Sequence, residues 1–281
     1  MTMFGNRRRE PQGGGSARAA VRLDSVRKTY GKGENAVEAL RGVDISFGYG
    51  SFTAVMGPSG SGKSTLLQCA AGLDVPTTGA VILDGVDLTG KNEVALTELR
   101  RERVGFIFQS FNLLPALTVE QNITLPLKLA GRRIDHGRVA DVIRRVGLDQ
   151  RRGHLPSELS GGQQQRVAIA RALVAEPPVV FADEPTGALD TRTALEVLDL
   201  LRESVMVTGQ TIIMVTHDPV AASHADNVVF LIDGQVISDI HNPTPEAVAD
   251  RMTHLTALVE QPRRSFDLSS SANQRGPRGE Y

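Results

Sequence analysis

Residues 52–65, FTAVMGPSGSGKST, decide the fold. The first five residues form a short apolar run that predicts a buried β-strand, and the remaining nine match the pattern G-x-x-x-x-G-K-[S/T]. Glycines let the backbone curl so that successive N–H groups point inward at phosphate oxygens, and a helix beginning near Lys63 adds the positive end of its dipole. The segment therefore predicts a strand, a phosphate-binding loop and a helix, with which a nucleotide-binding α/β domain begins.

Two side chains of this loop carry the expected chemistry. We expect Lys63 to contact the β- and γ-phosphates and the Ser64 hydroxyl to bind Mg²⁺, because this hard cation prefers oxygen ligands. A glycine-rich turn that matches the pattern by chance is the alternative, and the strand–loop–helix context argues against it. The predicted nucleotide-binding residues here are Gly57, Pro58, Ser59, Gly60, Ser61, Gly62, Lys63, Ser64 and Thr65.

Composition narrows the class of protein. The 281 residues are 41% hydrophobic, which is enough for one large domain or two small ones with a substantial core. The net charge of −1 provides no global positive field, so we expect no nucleic-acid partner. The single cysteine, Cys69, favours a cytoplasmic location and a role in core packing. No apolar run approaches the roughly 20 residues of a membrane-spanning helix, and no secretory signal is apparent.

The two ends of the chain differ from its middle. Residues 1–19 are rich in Gly, Arg and Gln, and we expect them to form a disordered basic arm. Such an arm can touch anionic lipid or RNA, but three consecutive arginines favour a solvated tail. We expect residues 246–281 to form a C-terminal helix and a disordered tail. Residues 20–245 contain no internal repeat or long linker and are expected to form one domain.

Apolar patterning predicts two kinds of strand. Alternating segments are typical of strands with one exposed face, and unbroken apolar runs are typical of strands covered on both faces of a parallel sheet. From Leu117 to Leu148, Leu, Ile and Val recur at helical spacing among charges, which predicts a helical insertion. The alternating or short segments are 21–23, 43–47 and 81–83, and the unbroken runs are 179–182 and 211–215.

An acidic pair follows the apolar run at 179–182. Asp183 and Glu184 are expected at the carboxyl end of a buried strand, where parallel α/β sheets bind ligands. Asp183 suits a magnesium ion bound through water, and Glu184 can polarise a water for in-line attack on a γ-phosphate. An Asp-Glu pair at a strand end is also a common solvated turn, so the functional interpretation depends on the phosphate-binding loop.

The segment Leu159–Gln163, LSGGQ, distinguishes among proteins with such a loop. Ser160 and the bare N–H groups of Gly161 and Gly162 at a helix N-terminus would form a second anion site. A Ser-Gly-Gly helix cap alone would be unremarkable. The segment resembles the signature sequence of ABC (ATP-binding cassette) ATPases, and its position shortly before the acidic strand also resembles that family.

Other motifs appear in the order found in this family, and the resemblance extends from Val21 to Asp239. Tyr30 resembles the aromatic residue that stacks on adenine, and Gln109 resembles the glutamine of the Q-loop. Gly187-Ala188-Leu189-Asp190 resembles the D-loop, and His217 resembles the switch histidine that reaches the γ-phosphate. A lone histidine after an apolar strand is more often structural, so the role of His217 rests on the resemblance.

The resemblance implies an α/β fold of the P-loop NTPase ABC ATPase type, occupying residues 20–245. A RecA-like core would carry an antiparallel β subdomain and a helical subdomain at about residues 110–170. It also implies ATP and Mg²⁺ as cofactors, and a homodimer in which the signature of one copy faces the phosphate loop of the other. The implied catalytic residues are Lys63, Gln109, Glu184 and His217; the implied magnesium ligands are Ser64, Gln109 and Asp183; and the implied nucleotide contacts outside the phosphate loop are Tyr30, Ser160, Gly161, Gly162, Gln163 and Asp190.

Two longer segments, Phe108–Pro115 and Asp183–Asp190, resemble the lipoprotein-releasing and macrolide-export branch. Ala188 departs from this branch, in which many members carry asparagine. The branch implies a separate FtsX-like membrane permease and a location at the inner face of the membrane, peripheral and reached through that permease. The loop after Gln109 is the expected contact. Candidate docking residues are Phe111, Leu113 and Leu114, with core packing as the alternative for each.

Two rival functions use the same phosphate-binding loop. Soluble ABC ATPases of translation usually carry two cassettes, and those of DNA repair carry long coiled coils, whereas this chain has one cassette and no heptad run. A nucleotide kinase would leave Leu159–Gln163 unexplained. The sequence therefore favours an ATP-hydrolysing transporter subunit.

Overall fold

A computed structural model describes residues 19–260. The predicted disordered arm, apart from Ala19, and the predicted disordered tail lie outside this range. The strands are β1 (Ala19–Tyr30), β2 (Val37–Gly48), β3 (Phe52–Met56), β4 (Thr78–Leu83), β5 (Val86–Asp87), β6 (Val104–Phe108), β7 (Val179–Asp183), β8 (Thr211–Val215), β9 (Asn227–Ile232) and β10 (Gln235–His241). The helices are α1 (Lys63–Ala70), α2 (Glu93–Arg103), α3 (Val119–Leu129), α4 (His136–Arg145), α5 (Gly161–Leu173), α6 (Thr191–Thr208), α7 (Pro219–Ser223) and α8 (Pro245–Glu260).

The strands form two sheets. A four-stranded antiparallel sheet has the order β2-β1-β4-β5, and a six-stranded sheet has the order β10-β9-β3-β8-β7-β6. Strands β9, β3, β8, β7 and β6 run parallel, whereas β10 pairs with β9 in the antiparallel direction. Every strand predicted from the sequence is present, and the helix predicted near Lys63 begins at that residue. Strands β5, β6, β9 and β10 were not predicted.

The buried parallel strands face two separate cores. Phe181 and Ile213 point to a core shared with α1 and the antiparallel sheet, whereas Val180 and Ile212 point to a core shared with α6, α7 and α8. Because successive side chains of a strand point to opposite faces, both sets must be apolar. This explains why the sequence runs are unbroken. Cys69 is buried in the first core, as the sequence predicted.

Helices α3, α4 and α5 form a helical region, residues 119–173, with a third core of its own. Ile123, Ile143 and Val167 are buried there, and Leu113 packs against them. Helix α5 also contributes Ile169 to the core beneath the parallel sheet, so it joins the helical region to the sheet. The helical insertion predicted between the early and late strands is confirmed. No helix within residues 19–260 is both long and apolar enough to cross a membrane.

Candidate functional site

Strand register brings the predicted site residues to one edge of the parallel sheet. Phe108 on β6 is paired with Asp183 on β7, and Asp183 is paired with Val215 on β8. The residues that follow these strands, including Gln109 and Glu184, therefore leave the sheet side by side. The Glu184 N–H donates to the carbonyl of Val215 over 2.9 Å, which extends the pairing by one residue. Together with the phosphate-binding loop and His217, these residues form the strand-end site.

The phosphate-binding loop is packed tightly against neighbouring backbone. A Cβ added to Gly57 would lie 2.0 Å from the carbonyl oxygen of Leu231 on β9. One added to Gly62, whose φ is +100°, would lie 2.4 Å from the carbonyl oxygen of Ala39 on β2. Main-chain carbonyls within a sheet have little freedom to move, so these two positions accept only glycine.

The Lys63 side chain hydrogen-bonds back to the start of the loop. Its Nζ donates to the carbonyl oxygens of Gly57 and Pro58, each over 2.9 Å. Partial burial lowers the pKa of Lys63, although the nearby charges of Glu184 and Asp183 act in the opposite direction. The buried hydroxyl of Ser61 has no hydrogen-bond partner among the described residues. An orphaned hydroxyl and an ammonium group in the same loop fit the phosphate oxygens of a nucleotide.

Glu184 contacts His217 at the end of β7. The two side chains meet at 2.8 Å between Oε1 and Nδ1, and because an ionised carboxylate only accepts, Nδ1 carries the hydrogen. Glu184 adopts a left-handed backbone with φ of +47°, which is uncommon for a residue other than glycine. Burial, followed by the charge of Glu184, raises the pKa of Asp183, and Lys63 opposes this.

The donor set of the site fits magnesium. No group of three or more His, Cys, Asp or Glu side chains in residues 19–260 could hold a metal ion. A metal here would instead be held by the exposed Ser64 hydroxyl, the Gln109 amide oxygen and the Asp183 carboxylate, with phosphate and water oxygens completing the shell. A Cβ on Gly187 would lie 2.9 Å from Gln109 Nε2, so the Gln109 side chain rests against the turn that follows Glu184.

Tyr30 lies at the end of β1, beside Thr65 of α1. Its hydroxyl donates to Asp74 Oδ2 over 2.7 Å, and the ammonium of Lys28 lies 4.9 Å from the centroid of its ring. Lys28 also donates to Asp74 Oδ1 over 2.5 Å. The ring is therefore fixed at its hydroxyl and covered by a cation on one face, yet the residue remains 41% exposed.

The signature residues form a second group. Ser160 is the N-cap of α5, and a capping box joins it to Gln163 through the Ser160 N–H and the Gln163 N–H. A Cβ on Gly162 would lie 2.3 Å from Thr193 Cγ2 in the first turn of α6. That turn is capped by Asp190, whose carboxylate accepts from Thr193 Oγ1 over 2.7 Å. The predicted helix start is confirmed, and the D-loop lies beside it in the same chain.

Three residues of the site were not found from the sequence. Asp74 holds the hydroxyl of Tyr30, and Gln165 donates from Nε2 to the carbonyl of Pro185. Arg171 donates to the carbonyls of Phe111 and Asn112, which follow Gln109. Each acts on a residue at least 20 positions away in the chain, so no local pattern marks it.

Comparisons with known proteins show which proteins this chain is similar to. A profile of the ABC transporter family matches residues 40–187. The ABC transporter ATP-binding protein YvrO of Bacillus subtilis is 45% identical over 219 residues, covering 77% of this chain and 95% of YvrO. The macrolide export ATP-binding/permease protein MacB of Marinobacter nauticus is 42% identical over 234 residues, covering 83% of this chain but only 36% of MacB.

A solved structure is also similar. The dimeric post-hydrolysis state of the ATP-binding cassette MJ0796, bound to ADP and Pi, superposes with a TM-score of 0.73 at 40% sequence identity. The match covers 80% of this chain and 99% of that one. The related protein comes from Methanocaldococcus jannaschii.

Proposed function

The chain belongs to the ABC transporter family as an ATP-binding, ATP-hydrolysing subunit, and we propose that two copies close on two ATP molecules and transmit this closure to an FtsX-like membrane permease. The observation that carries the proposal is the strand-end site. A phosphate-binding loop and a Glu–His pair leave neighbouring parallel strands at one sheet edge. This is the arrangement that phosphoryl transfer to water requires.

Within this proposal the chain's own residues divide the work. Lys63, Ser61 and the loop N–H groups bind the phosphates. The Glu184 carboxylate accepts a proton from the attacking water. His217 contacts that carboxylate over 2.8 Å, and its exposed ring would hydrogen-bond the γ-phosphate. Ser64, Gln109 and Asp183 would hold Mg²⁺, which would supply positive charge to balance the negative charge that develops on the phosphate oxygens. Tyr30 would stack on the adenine ring through its exposed face.

We assign the signature residues to the ATP bound by the partner copy. Ser160 is exposed at the start of α5, where the helix N-terminus offers N–H groups to an anion. Asp190 lies beside it through the contact between Gly162 and Thr193 and would face the same boundary. The dimeric state of MJ0796 with ADP and Pi supports a homodimer. Ser160, Gly161, Gly162 and Gln163 would thus complete a site in trans.

We assign the contact with the permease to the loop after Gln109. Phe111 and Asn112 both have left-handed backbones, with φ of +56° and +50°, and their carbonyls are held by Arg171. Leu114 is 46% exposed, whereas Leu113 packs in the helical core. Among the three candidate docking residues, Leu114 is therefore the best placed, and Leu113 is better explained by packing.

The relatives support the assignment of this subunit's location. MacB of Marinobacter nauticus is an ATP-binding/permease protein, and this chain covers 36% of its length. We therefore place the subunit at the inner face of the membrane, peripheral through a separate permease. We assign the cassette to residues 20–245, with the helical subdomain at about 110–170, and α8 to the segment that follows.

The decisive experiment replaces Glu184 by Gln. ATP affinity should persist, turnover should fall at least about 100-fold, and an ATP-bound dimer should accumulate, because the nucleotide is held but no base accepts the proton. Light scattering after gel filtration with ATP measures the dimer, and Glu246→Gln, an exposed change on α8, is the control. A strictly monomeric Glu184→Gln protein in saturating ATP would refute the dimer, and brisk hydrolysis would refute the base.

A further inference from the structure

Gln165 is a polar residue that is fully buried. It lies on α5 with no exposed surface, and the residues Val167–Ile169 that follow it on the helix are buried as well. Its Nε2 donates over 2.6 Å to the carbonyl oxygen of Pro185, and its Oε1 has no partner among the described residues. Because a carbonyl only accepts, the amide nitrogen must face Pro185. Burying an amide whose oxygen has no hydrogen-bond partner is unfavourable, so the presence of a glutamine at this buried position needs an explanation.

The accepting carbonyl belongs to the turn that carries Glu184. The Glu184 carbonyl accepts from the Gly187 N–H over 3.1 Å, which closes the turn around Pro185. Proline has no N–H, so its carbonyl is its only backbone hydrogen-bonding group. The turn is thus fixed by β8 on one side, through the Glu184 N–H, and by Gln165 on the other.

Helix α5 therefore contacts two functional segments. Ser160 is its N-cap, and Gly162 in its first turn packs on Thr193 of α6. One helical turn later, Gln165 donates to the segment that follows Glu184. We propose that Gln165 is a positioning residue that orients Glu184 of its own chain for proton abstraction. The proposal rests on the function given above, in which Glu184 is the base and Ser160 acts on the partner's nucleotide.

The first test replaces Gln165 by Met, which keeps the length and volume but removes the donor. The kcat for ATP hydrolysis should fall about tenfold or more, because small displacements of a base are costly, while the KM and the ATP Kd change less than about twofold. Gln210→Met is the matched control. Gln210 is also buried and begins the segment leading into β8, at the opposite end from the site. Its variant should lose stability without losing kcat.

A merely structural Gln165 gives a different result. Equal losses in kcat and ATP affinity, or the same kcat loss in Gln210→Met, would overturn the proposal. If Gln165→Met does not fold, Gln165→Glu replaces it. A protonated buried carboxyl still donates to Pro185, so the kcat of that variant should fall, relative to wild type, as pH is raised through the carboxyl pKa. A ratio to wild type that stays flat with pH would contradict the role.

Mixed dimers separate this proposal from the one on which it rests. A Ser160→Arg chain mixed with a Lys63→Ala chain leaves one intact composite site, whose Glu184 comes from the Ser160→Arg chain. Gln165→Met should abolish most activity when placed in that chain and little when placed in the other. No activity in the parent mixture would refute the trans arrangement. An active parent mixture with equal losses from both placements would refute only the role of Gln165.

Discussion

The strand-end site and the helical region are held in place by different kinds of contact. Around the phosphate-binding loop and Glu184, position follows from main-chain pairing of buried strands, and neighbouring carbonyls leave no room for a side chain. The helical region is joined to the rest of the fold by side chains: Ile169 packs in the core beneath the parallel sheet, Gln165 donates to the carbonyl of Pro185, and Arg171 donates to the carbonyls of Phe111 and Asn112.

This difference bears on how an ATPase subunit can move. Main-chain ladders of a central parallel sheet are among the last parts of a domain to open, whereas a few side-chain bonds can be broken and remade. The phosphate-binding loop and the acidic pair would then stay fixed through a cycle. We therefore expect the helical region, with the signature and the loop after Gln109, to be the part that changes its orientation when ATP binds.

The largest expected effect compares two glycines. Gly57→Ala should destabilise the fold by about 3 kcal/mol and abolish ATP binding, because its Cβ meets a main-chain carbonyl that cannot yield. Gly162→Ala should cost less, about 1–2 kcal/mol, because the atom that its Cβ meets most closely is a Thr193 side-chain methyl, which can shift more easily than main chain, and alanine has the better helix propensity. Urea unfolding measures both.

A double variant sharpens this comparison. Thr193→Ser removes the obstructing methyl but keeps the hydroxyl that donates to Asp190, so it should restore the stability of Gly162→Ala. No second change of that kind is available for Gly57. Equal stability losses for Gly57→Ala and Gly162→Ala, or no relief by Thr193→Ser, would show that the two regions do not differ in rigidity.

The next effect concerns the helical region alone. Asn122 on α3 is fully buried; its Nδ2 lies within 3.1 Å of the Leu114 and Leu117 carbonyls, and its Oδ1 accepts from the Leu114 N–H. Asn122→Ala removes the partner of the Leu114 N–H and of the Leu117 carbonyl and should cost about 2 kcal/mol of unfolding free energy. ATP affinity should be unchanged if the phosphate site is held separately. A matching loss of ATP affinity would contradict that separation, and Lys128→Ala, on the exposed side of α3, is the control.

The sequence predicted the strand-end site better than the contacts that connect it to the helices. Unbroken apolar runs followed by motif residues locate a strand end, and parallel register then brings those ends together, as for Asp183 and Glu184. Strand β6 was missed because Val104–Phe108 contains a glycine and follows a charged helix directly. Strand β9 was also not predicted, although its apolar run has the pattern that located the other buried strands.

Gln165 could not have been predicted. It belongs to a run of three glutamines in the first turns of α5, which the pattern assigns to an exposed polar end. Its burial arises only because α5 packs against two cores at once, and that is a tertiary property. The same holds for Leu113: an apolar residue in a loop gives no indication of whether a partner or a core covers it, and here the helical core does.

The smallest effect tests Tyr30, which is placed by main-chain pairing but oriented by side chains. Burial alone would raise the pKa of Asp74, but hydrogen bonds from Lys28 and Tyr30 outweigh it and hold that pKa below its usual value. A carboxyl with a lowered folded-state pKa stabilises the fold above the ordinary Asp pKa of about 3.9, and this contribution is lost as pH falls through the folded-state pKa.

Asp74→Asn should therefore cost about 1 kcal/mol at neutral pH and progressively less, relative to wild type, as the pH is lowered below about 4. The KM for ATP should rise about two- to threefold with little change in kcat, because the Tyr30 ring loses its fixed orientation but not its stacking face. Asp24 lies in an exposed ion pair with Arg22 on the same strand, and Asp24→Asn should change neither the stability nor the KM for ATP. A pH-independent stability loss in Asp74→Asn would show that Asp74 acts by packing, and Tyr30 would then join the residues positioned by the sheet alone.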